Sequence, residues 1–102
     1  MPFDIRMYPG FAGQAGRLSA VRQELENMLR PVAGLRRFRL LETSEGLAMV
    51  TEGEDRAACE ECANRAERWM TERLPGLSGY RPLTAVGYVI ADVLGANPGQ
   101  EP

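Results

Sequence analysis

The spacing of apolar residues changes along this chain, and the order of those changes constrains the fold more than any other feature. In Pro2–Tyr8 apolar residues occupy every second position, which is typical of a half-buried strand. The next apolar residues recur at intervals of three, four and seven, which predicts one amphipathic helix beginning within Gln14–Arg17. Pro31 disfavours helical geometry at the residue before it, so the helix ends there. The helical stripe consists of Leu18, Val21, Leu25, Met28 and Leu29.

Two short apolar segments follow and predict a β-hairpin. They are Leu35–Glu42 and Leu47–Glu52, separated by four residues that end in Gly46. We expect Gly46 to take a left-handed conformation in a three-residue loop. That register places Leu41 opposite Met49, so that apolar residues face each other across the two strands.

A second helix and a last strand complete the pattern. Asp55 is the expected N-cap of the helix, and Pro75 marks its end. Its apolar stripe comprises Cys59, Cys62, Ala63, Ala66, Met70 and Leu74. The β-branched segment Thr84–Asp92 predicts the final strand. We therefore expect one domain over residues 1–94 and a flexible tail over 95–102.

The order strand, helix, strand, strand, helix, strand predicts an α+β, ferredoxin-like βαββαβ fold with an antiparallel sheet. In such a fold the helices cover one face of the sheet. The last strand, however, is apolar on both sides, with Val86, Tyr88 and Ile90 alternating with smaller apolar residues. A sheet that is apolar on both faces needs a second cover, and 102 residues provide no further element for it. We therefore predict a homodimer.

The composition excludes several classes of function. The chain has no histidine, two cysteines and no glycine-rich phosphate loop, so we expect no metal site, no nucleotide motif and no bound cofactor. A net charge of −2 with scattered arginines does not favour a nucleic-acid partner. No apolar run is long enough for a bilayer, and the first residues do not resemble an export signal, so we expect no membrane partner and a cytoplasmic location.

Three segments resemble the antibiotic biosynthesis monooxygenase-like group of dimeric α+β barrels, a resemblance that covers residues 3 to 93. They are Arg30–Leu41, Val50–Asp55 and Asn64–Trp69. The resemblance implies a homodimer whose sheets face each other, and a cavity between the sheet and the second helix of each subunit. Some members are cofactor-independent monooxygenases that act on aromatic polyketides, and others degrade haem. The haem degraders pair an Asn on strand one with a Trp and an iron-binding His, of which only Trp69 has a counterpart here, so we do not expect haem degradation.

Four residues are candidates for ligand binding, although none carries a catalytic signature. Trp69 borders the apolar stripe of the second helix, and Arg73, four residues later, can stack over the indole. Together they could bind a planar or anionic ligand, or the arginine could simply cover a packed tryptophan. Tyr8 and Tyr88 lie on strands that line the cavity in the group, where a phenol could orient an enolate-like substrate. The alternative for both phenols is a packed aromatic.

The remaining polar features favour structural roles. Asn64 lies about 140° around the helix from Trp69 and is expected in solvent. Cys59 and Cys62 share the core-facing stripe, so we expect two buried, reduced thiols rather than a redox pair. Arg37 and Arg39 share one face of a strand and can pair with nearby acids or with a second subunit.

Two functional hypotheses follow. The first is a small dimeric barrel protein that binds an apolar or aromatic ligand near Trp69, Arg73 and Tyr88, and that could act as a cofactor-free monooxygenase. The alternative is a non-catalytic homodimeric interaction or regulatory module. An RNA-binding domain with the same strand order is disfavoured, because the strand Leu47–Glu52 lacks the aromatic residues on which bases stack.

Overall fold

The computed structural model describes residues 1–96 and has the ferredoxin-like α+β fold expected from the sequence. All neighbouring strands of the sheet are antiparallel, and their order is β2-β3-β1-β4. The elements are β1 (Pro2–Pro9), α1 (Ala15–Ser19), α2 (Arg22–Leu29), β2 (Leu35–Glu42), β3 (Gly46–Gly53), α3 (Arg56–Arg73), a short 3-10 turn (Pro75–Leu77) and β4 (Leu83–Tyr88). Most of the expected tail, residues 97–102, lies outside the described residues. Within residues 1–96, no helix combines the length and the apolar character that a membrane span needs.

Helix α3 is the longest helix and lies across the middle of the sheet. As predicted, Asp55 caps its first turn, where the carboxylate accepts a hydrogen bond of 2.8 Å from the Ala58 backbone amide. Its buried residues face β1 and β3, and they include both cysteines, Trp69 and Met70. The helix ends before Pro75, which cannot donate the next helical hydrogen bond.

The two faces of the sheet differ in composition and in cover. The face under the helices includes Asp4, Tyr8, Met49 and Thr51, each at most 2% exposed. The opposite face, here called the open face, has no helix over it in the described chain. It contains Phe3, Ile5, Met7, Arg37, Arg39, Leu41, Ala48, Val50, Glu52, Leu83 and Ala85. The alternation in β1 thus places its polar residues beneath α3 and its apolar residues on the open face.

The hairpin between β2 and β3 is tighter than predicted. The structure pairs Leu41 with Ala48 and Glu42 with Leu47, which leaves only Ser44 and Glu45 as the turn. The predicted three-residue loop was therefore wrong. The side chain of Thr43 stabilises the short turn, because its hydroxyl accepts hydrogen bonds from the Glu45 and Gly46 amides at 3.3 and 3.0 Å.

Gly46 also has a different role from the expected one. It does not have a positive φ; it begins β3 and pairs with Pro9 of β1. A Cβ at this position would lie 2.1 Å from the carbonyl oxygen of Tyr8. Glycine is therefore required by the close approach of two backbones.

The single predicted first helix is two helices, α1 and α2. They are separated at Ala20 and Val21. The Ala20 amide still donates to the carbonyl four residues back, whereas the Val21 amide donates at 3.1 Å to Leu18, only three residues back. The break leaves Leu18 and Leu25 both buried, one on each side. The last strand also ends earlier than expected, at Tyr88 rather than Asp92.

Candidate functional site

A cavity of about 380 Å³ lies between the helix pair α1 and α2, strand β2 and one side of α3. Its apolar wall is formed by Ala15, Leu18, Leu25, Phe38, Leu40, Leu41, Leu47 and Trp69. The polar residues of the lining are Ser19, Arg22, Glu26 and Glu42. All four are exposed, so the polar groups of the lining lie where it meets solvent. A mostly apolar cavity of this size is typical of a small-molecule site.

Trp69 is the lining residue contributed by α3, and its indole is only 4% exposed. The buried indole Nε1–H has no hydrogen-bond acceptor among the described residues. Burying a polar group without a partner costs about 1–3 kcal/mol. Trp69 thus lines an apolar cavity and has a buried indole N–H without an acceptor among the described residues.

Arg73 stacks on Trp69 as predicted, with its guanidinium carbon 4.8 Å from the ring centroid. The same guanidinium donates a 3.1 Å hydrogen bond to the Trp69 carbonyl and a 2.5 Å hydrogen bond to Glu24 on α2. Arg73 is not part of the cavity lining. Its contacts hold the indole in place and join α2 to α3.

Trp69 also separates the cavity from a second, more polar cleft of about 390 Å³. That cleft lies between Met28 and the exposed side of α3, and its other lining residues are Glu61, Arg65, Arg68 and Glu72. Arg65 is held there by Glu61 at 2.9 Å. With two acids and two bases, the cleft has no net charge that would select a ligand.

Tyr8 does not reach the cavity. It is fully buried beneath the other side of α3, where its hydroxyl donates a 2.5 Å hydrogen bond to Glu67. Burial, followed by the bond to Glu67 and its charge, raises the pKa of Tyr8 above the ordinary value of 10.0. Arg6 completes the group with contacts to Glu67 at 3.5 Å and to buried Asp4 at 3.2 Å. This phenol keeps its proton and acts as a structural donor.

Tyr88 is also remote from Trp69. It lies on edge strand β4, is 67% exposed, and has the guanidinium of Arg56 5.5 Å above its ring. Arg56 donates two hydrogen bonds to the backbone carbonyls of Phe3 and Gly87, which ties α3 to β1 and β4. Of the four candidates, the structure brings together only Trp69 and Arg73.

Most of the cavity lining could not be identified from the sequence. Phe38 and Leu40 come from the helix-facing side of β2, and Leu18 and Leu25 from the apolar stripe of the first helices. All four lie in elements that the sequence predicts, Leu18 and Leu25 in the helical stripe and Phe38 and Leu40 in the strand Leu35–Glu42. Periodicity does not show that α1 and α2 lie far enough from β2 to leave a cavity between them.

The remaining polar residues lie where the sequence indicated. Cys59 and Cys62 are free and buried, and the Cys59 thiol donates to the Pro2 carbonyl at 3.3 Å. Burial raises the pKa of both thiols, that of Cys62 to about 11. Asn64 is exposed. In the described part of the chain, no three Cys, Asp or Glu side chains are grouped as metal ligands.

Two solved structures share this fold. Rv0793 from Mycobacterium tuberculosis is 19% identical with a TM-score of 0.50, and the match covers 92% of this chain and all of that one. A crystal structure of an MhuD mutant with two manganese protoporphyrin IX bound per active site is 17% identical with a TM-score of 0.55, covering 92% of this chain and 97% of that one. Both are antibiotic biosynthesis monooxygenase-like domain proteins, so the predicted resemblance is confirmed at the level of the fold. No protein-family model and no curated protein matches the sequence.

Proposed function

We propose that this protein is a homodimer that binds a planar, uncharged aromatic ligand bearing an acceptor oxygen, in the cavity beside Trp69. The observation that carries the proposal is that Trp69 lines an apolar cavity and has a buried indole Nε1–H without an acceptor among the described residues. A carbonyl or quinone oxygen on the ligand would accept this hydrogen bond and recover the free energy that burial costs. The mostly apolar lining, which includes Phe38 and Trp69, then favours an aromatic ring system.

The charges of the lining favour an uncharged ligand over an anion. The lining contains one arginine, Arg22, and two glutamates, Glu26 and Glu42. Arg73, which could have attracted an anion, is already paired with Glu24 and stacked on the indole. An acidic ligand would therefore be repelled by more charge than would attract it.

The lining supports binding more than catalysis. Oxygen-dependent turnover of an anthrone-like ligand, which the resemblance implies, requires a group that accepts a proton from the ligand. In the lining, only the carboxylates of Glu26 and Glu42 could do so, and both are exposed. Tyr8 and Tyr88, the phenols considered from the sequence, lie elsewhere.

Haem does not fit this cavity. Protein side chains that bind haem iron are His, Cys, Met and Tyr. The chain has no histidine, and the lining has none of the other three. The porphyrin in the MhuD structure is therefore not a guide to the ligand of this protein.

The open face supports the homodimer. Met7, Leu41 and Leu83 on this face are 43%, 41% and 59% exposed. With Ala48 they form one row across the sheet, next to the row that contains the partly buried Ile5 and Val50, so that a continuous apolar surface faces water. Monomeric proteins seldom expose such a surface, and an identical face on a second copy would cover it.

A cavity-filling variant tests the binding site. Ala15 lies in the lining, and Ala15→Phe would place an aromatic ring in the space proposed for the ligand. Titration of the single tryptophan's fluorescence with anthrone or anthraquinone should show micromolar binding by the native chain and at least tenfold weaker binding by this variant.

The matched control is Ala57→Phe, which makes the same change at an exposed position of α3 outside the lining. It should bind as the native chain does. If neither compound perturbs the fluorescence of the native chain, the ligand-binding proposal fails, and the non-catalytic interaction module becomes the better account.

A further inference from the structure

A groove of about 310 Å³ lies between α2 and β2 and adjoins the cavity that Trp69 lines. The two spaces share three lining residues, Leu25 and Glu26 on α2 and Phe38 on β2. Along α2, residues between positions 22 and 26 line the cavity, and residues between 25 and 30 line the groove. Along β2, the cavity takes residues between 38 and 42, and the groove residues 35 to 38. The groove therefore extends the cavity toward the end of α2 and the start of β2.

Four apolar side chains line the groove. Leu25 and Leu29 of α2 are 6% and 3% exposed, and Leu35 and Phe38 of β2 are partly buried. All four belong to the hydrophobic core or pack against it, so the core holds them in place. An apolar side chain offers a ligand no hydrogen bond, and a polar group placed against it loses its water without compensation. The part of a ligand that fits between these residues is therefore apolar.

The charged residues of the groove are all exposed, so they lie where the groove meets solvent. Arg30 is 3.5 Å from Glu26, and Arg36 is 2.9 Å from Glu54. Arg37 belongs by its register to the open face of the sheet. A guanidinium that already has a carboxylate partner attracts an acidic ligand less strongly. The groove thus favours an uncharged chain over an acidic one.

The polar cleft on the other side of Trp69 also adjoins the cavity, but its chemistry is different. Four of its lining residues are charged, and besides Trp69 only Met28 of its lining is apolar. An aliphatic chain placed there would remove water from charged groups without replacing their hydrogen bonds. The groove between α2 and β2 is therefore the better extension of the cavity for an aliphatic chain.

We propose that the ligand of the cavity carries an aliphatic side chain, and that this chain lies in the groove between α2 and β2. The ring system then lies beside Trp69, and the chain passes Phe38 to reach Leu29 and Leu35. This inference rests on the proposed function and specifies its ligand class, which is an uncharged aromatic carbonyl compound with an alkyl substituent.

A pair of ligands tests the groove. Each buried methylene strengthens binding about fourfold, so anthraquinone with a pentyl chain on a terminal ring should bind about tenfold or more tightly than anthraquinone itself. Titration of the single tryptophan's fluorescence measures both affinities. A smaller gain would overturn the groove proposal, while the binding of anthraquinone would still support the cavity. If neither compound binds, the proposed function fails and the groove proposal fails with it.

A substitution in the groove locates the chain. Leu35 lines the groove and not the cavity, and Leu35→Gln places an amide where the chain is proposed to lie. The variant should keep its affinity for anthraquinone within about twofold and reduce the gain from the pentyl chain to about threefold or less. The matched control, Val32→Gln, makes a similar change at a partly buried position outside both linings and should keep the full gain. A full gain in Leu35→Gln would show that the chain lies elsewhere.

Methyl NMR of the native chain tests the same location without a substitution. The pentyl compound should shift the methyl resonances of Leu29 and Leu35 more than anthraquinone does, because neither residue lines the cavity. Equal shifts with the two compounds would contradict the proposal. A third compound, whose pentyl chain ends in a carboxylate, should bind more weakly than the uncharged one. Tighter binding of this acid would overturn the assignment of an uncharged chain.

Discussion

Tyr8 and Trp69, on the two sides of helix α3, differ in whether their buried polar groups have hydrogen-bond partners. On the β1 side, the Tyr8 hydroxyl donates to Glu67, and Arg6 joins Glu67 to Asp4. On the α2 side, Trp69 is almost as deeply buried, yet its Nε1–H has no acceptor within residues 1–96. The Tyr8 hydroxyl is thus paired within a network of charges, although the nearby Thr51 hydroxyl is buried without a partner among the described residues, and the second side ends in an apolar cavity.

This difference separates a structural role from a binding role. Buried donors in folded proteins are nearly always paired, so a complete network such as that of Tyr8 needs no further partner. A buried donor without a partner, on a residue that lines an apolar cavity, is the exception, and a ligand would account for it. Both Tyr8 and Trp69 were candidates from the sequence, and only their partners distinguish them.

The largest expected effect comes from breaking the network on the Tyr8 side. Arg6→Met leaves the 2% exposed carboxylate of Asp4 without its cation. Removing one partner of a buried ion pair costs about 3 kcal/mol or more. Urea denaturation should show this loss in the free energy of unfolding. The control, Arg36→Met, breaks a pair at 2.9 Å whose side chains are 54% and 57% exposed, and should cost less than about 1 kcal/mol.

A second effect concerns Cys62, which lies under α3 among apolar neighbours. Its thiol has a pKa of about 11 in the folded protein, against 9.0 for an ordinary thiol, because burial disfavours the thiolate. Below pH 9 both states keep the proton; above it the unfolded state loses the proton first, so stability falls as the pH rises through that window. The loss should total about 2 kcal/mol between pH 9 and 11. The Cys62→Ala variant should lack this part of the pH dependence, and equal slopes for the two proteins would contradict the burial argument.

A smaller effect is expected for Tyr8→Phe at neutral pH. The variant loses one hydrogen bond to a charged acceptor, which costs about 1.5 kcal/mol. Its affinity for an aromatic ligand should stay within about twofold of the native value, because Tyr8 does not line the cavity. A tenfold loss of affinity would show that the two sides of α3 are not separate. Above pH 10 the free energy of unfolding of the native chain should fall more steeply with pH than that of the variant. The reason is that the raised pKa of Tyr8 makes the unfolded state ionise first.

The order of elements was predictable from the sequence because each long element has a consistent period. Helix α3 has both a capping Asp55 and a terminating Pro75, and its bounds were accordingly found. The hairpin register could not be predicted, because apolar residues pair with each other in more than one register. The choice depends on the Thr43 hydroxyl and on the close approach of Gly46 to the backbone of β1. The break at Val21 has no strong sequence signal, because no proline lies there.

The candidate site was predictable only in part. Trp69 was found as the single tryptophan on an amphipathic helix, and the spacing of four residues correctly placed Arg73 over it. Tyr88 could not be placed, because periodicity does not show that the helices leave β4 uncovered. The alternation in β1 likewise could not show that its polar residues, including Tyr8, would form a network beneath α3.

The most direct test of the account is the NMR signal of the Trp69 indole N–H, the only indole in the chain. In a ¹⁵N-labelled sample, anthraquinone should move this single resonance downfield and slow its hydrogen exchange, because its carbonyl oxygen accepts the hydrogen bond. Anthracene, which has the same three rings and no oxygen, should bind more weakly and produce no downfield shift. An indole resonance that anthraquinone leaves unchanged, or that both compounds move equally, would contradict the claim that Trp69 is a donor to a ligand.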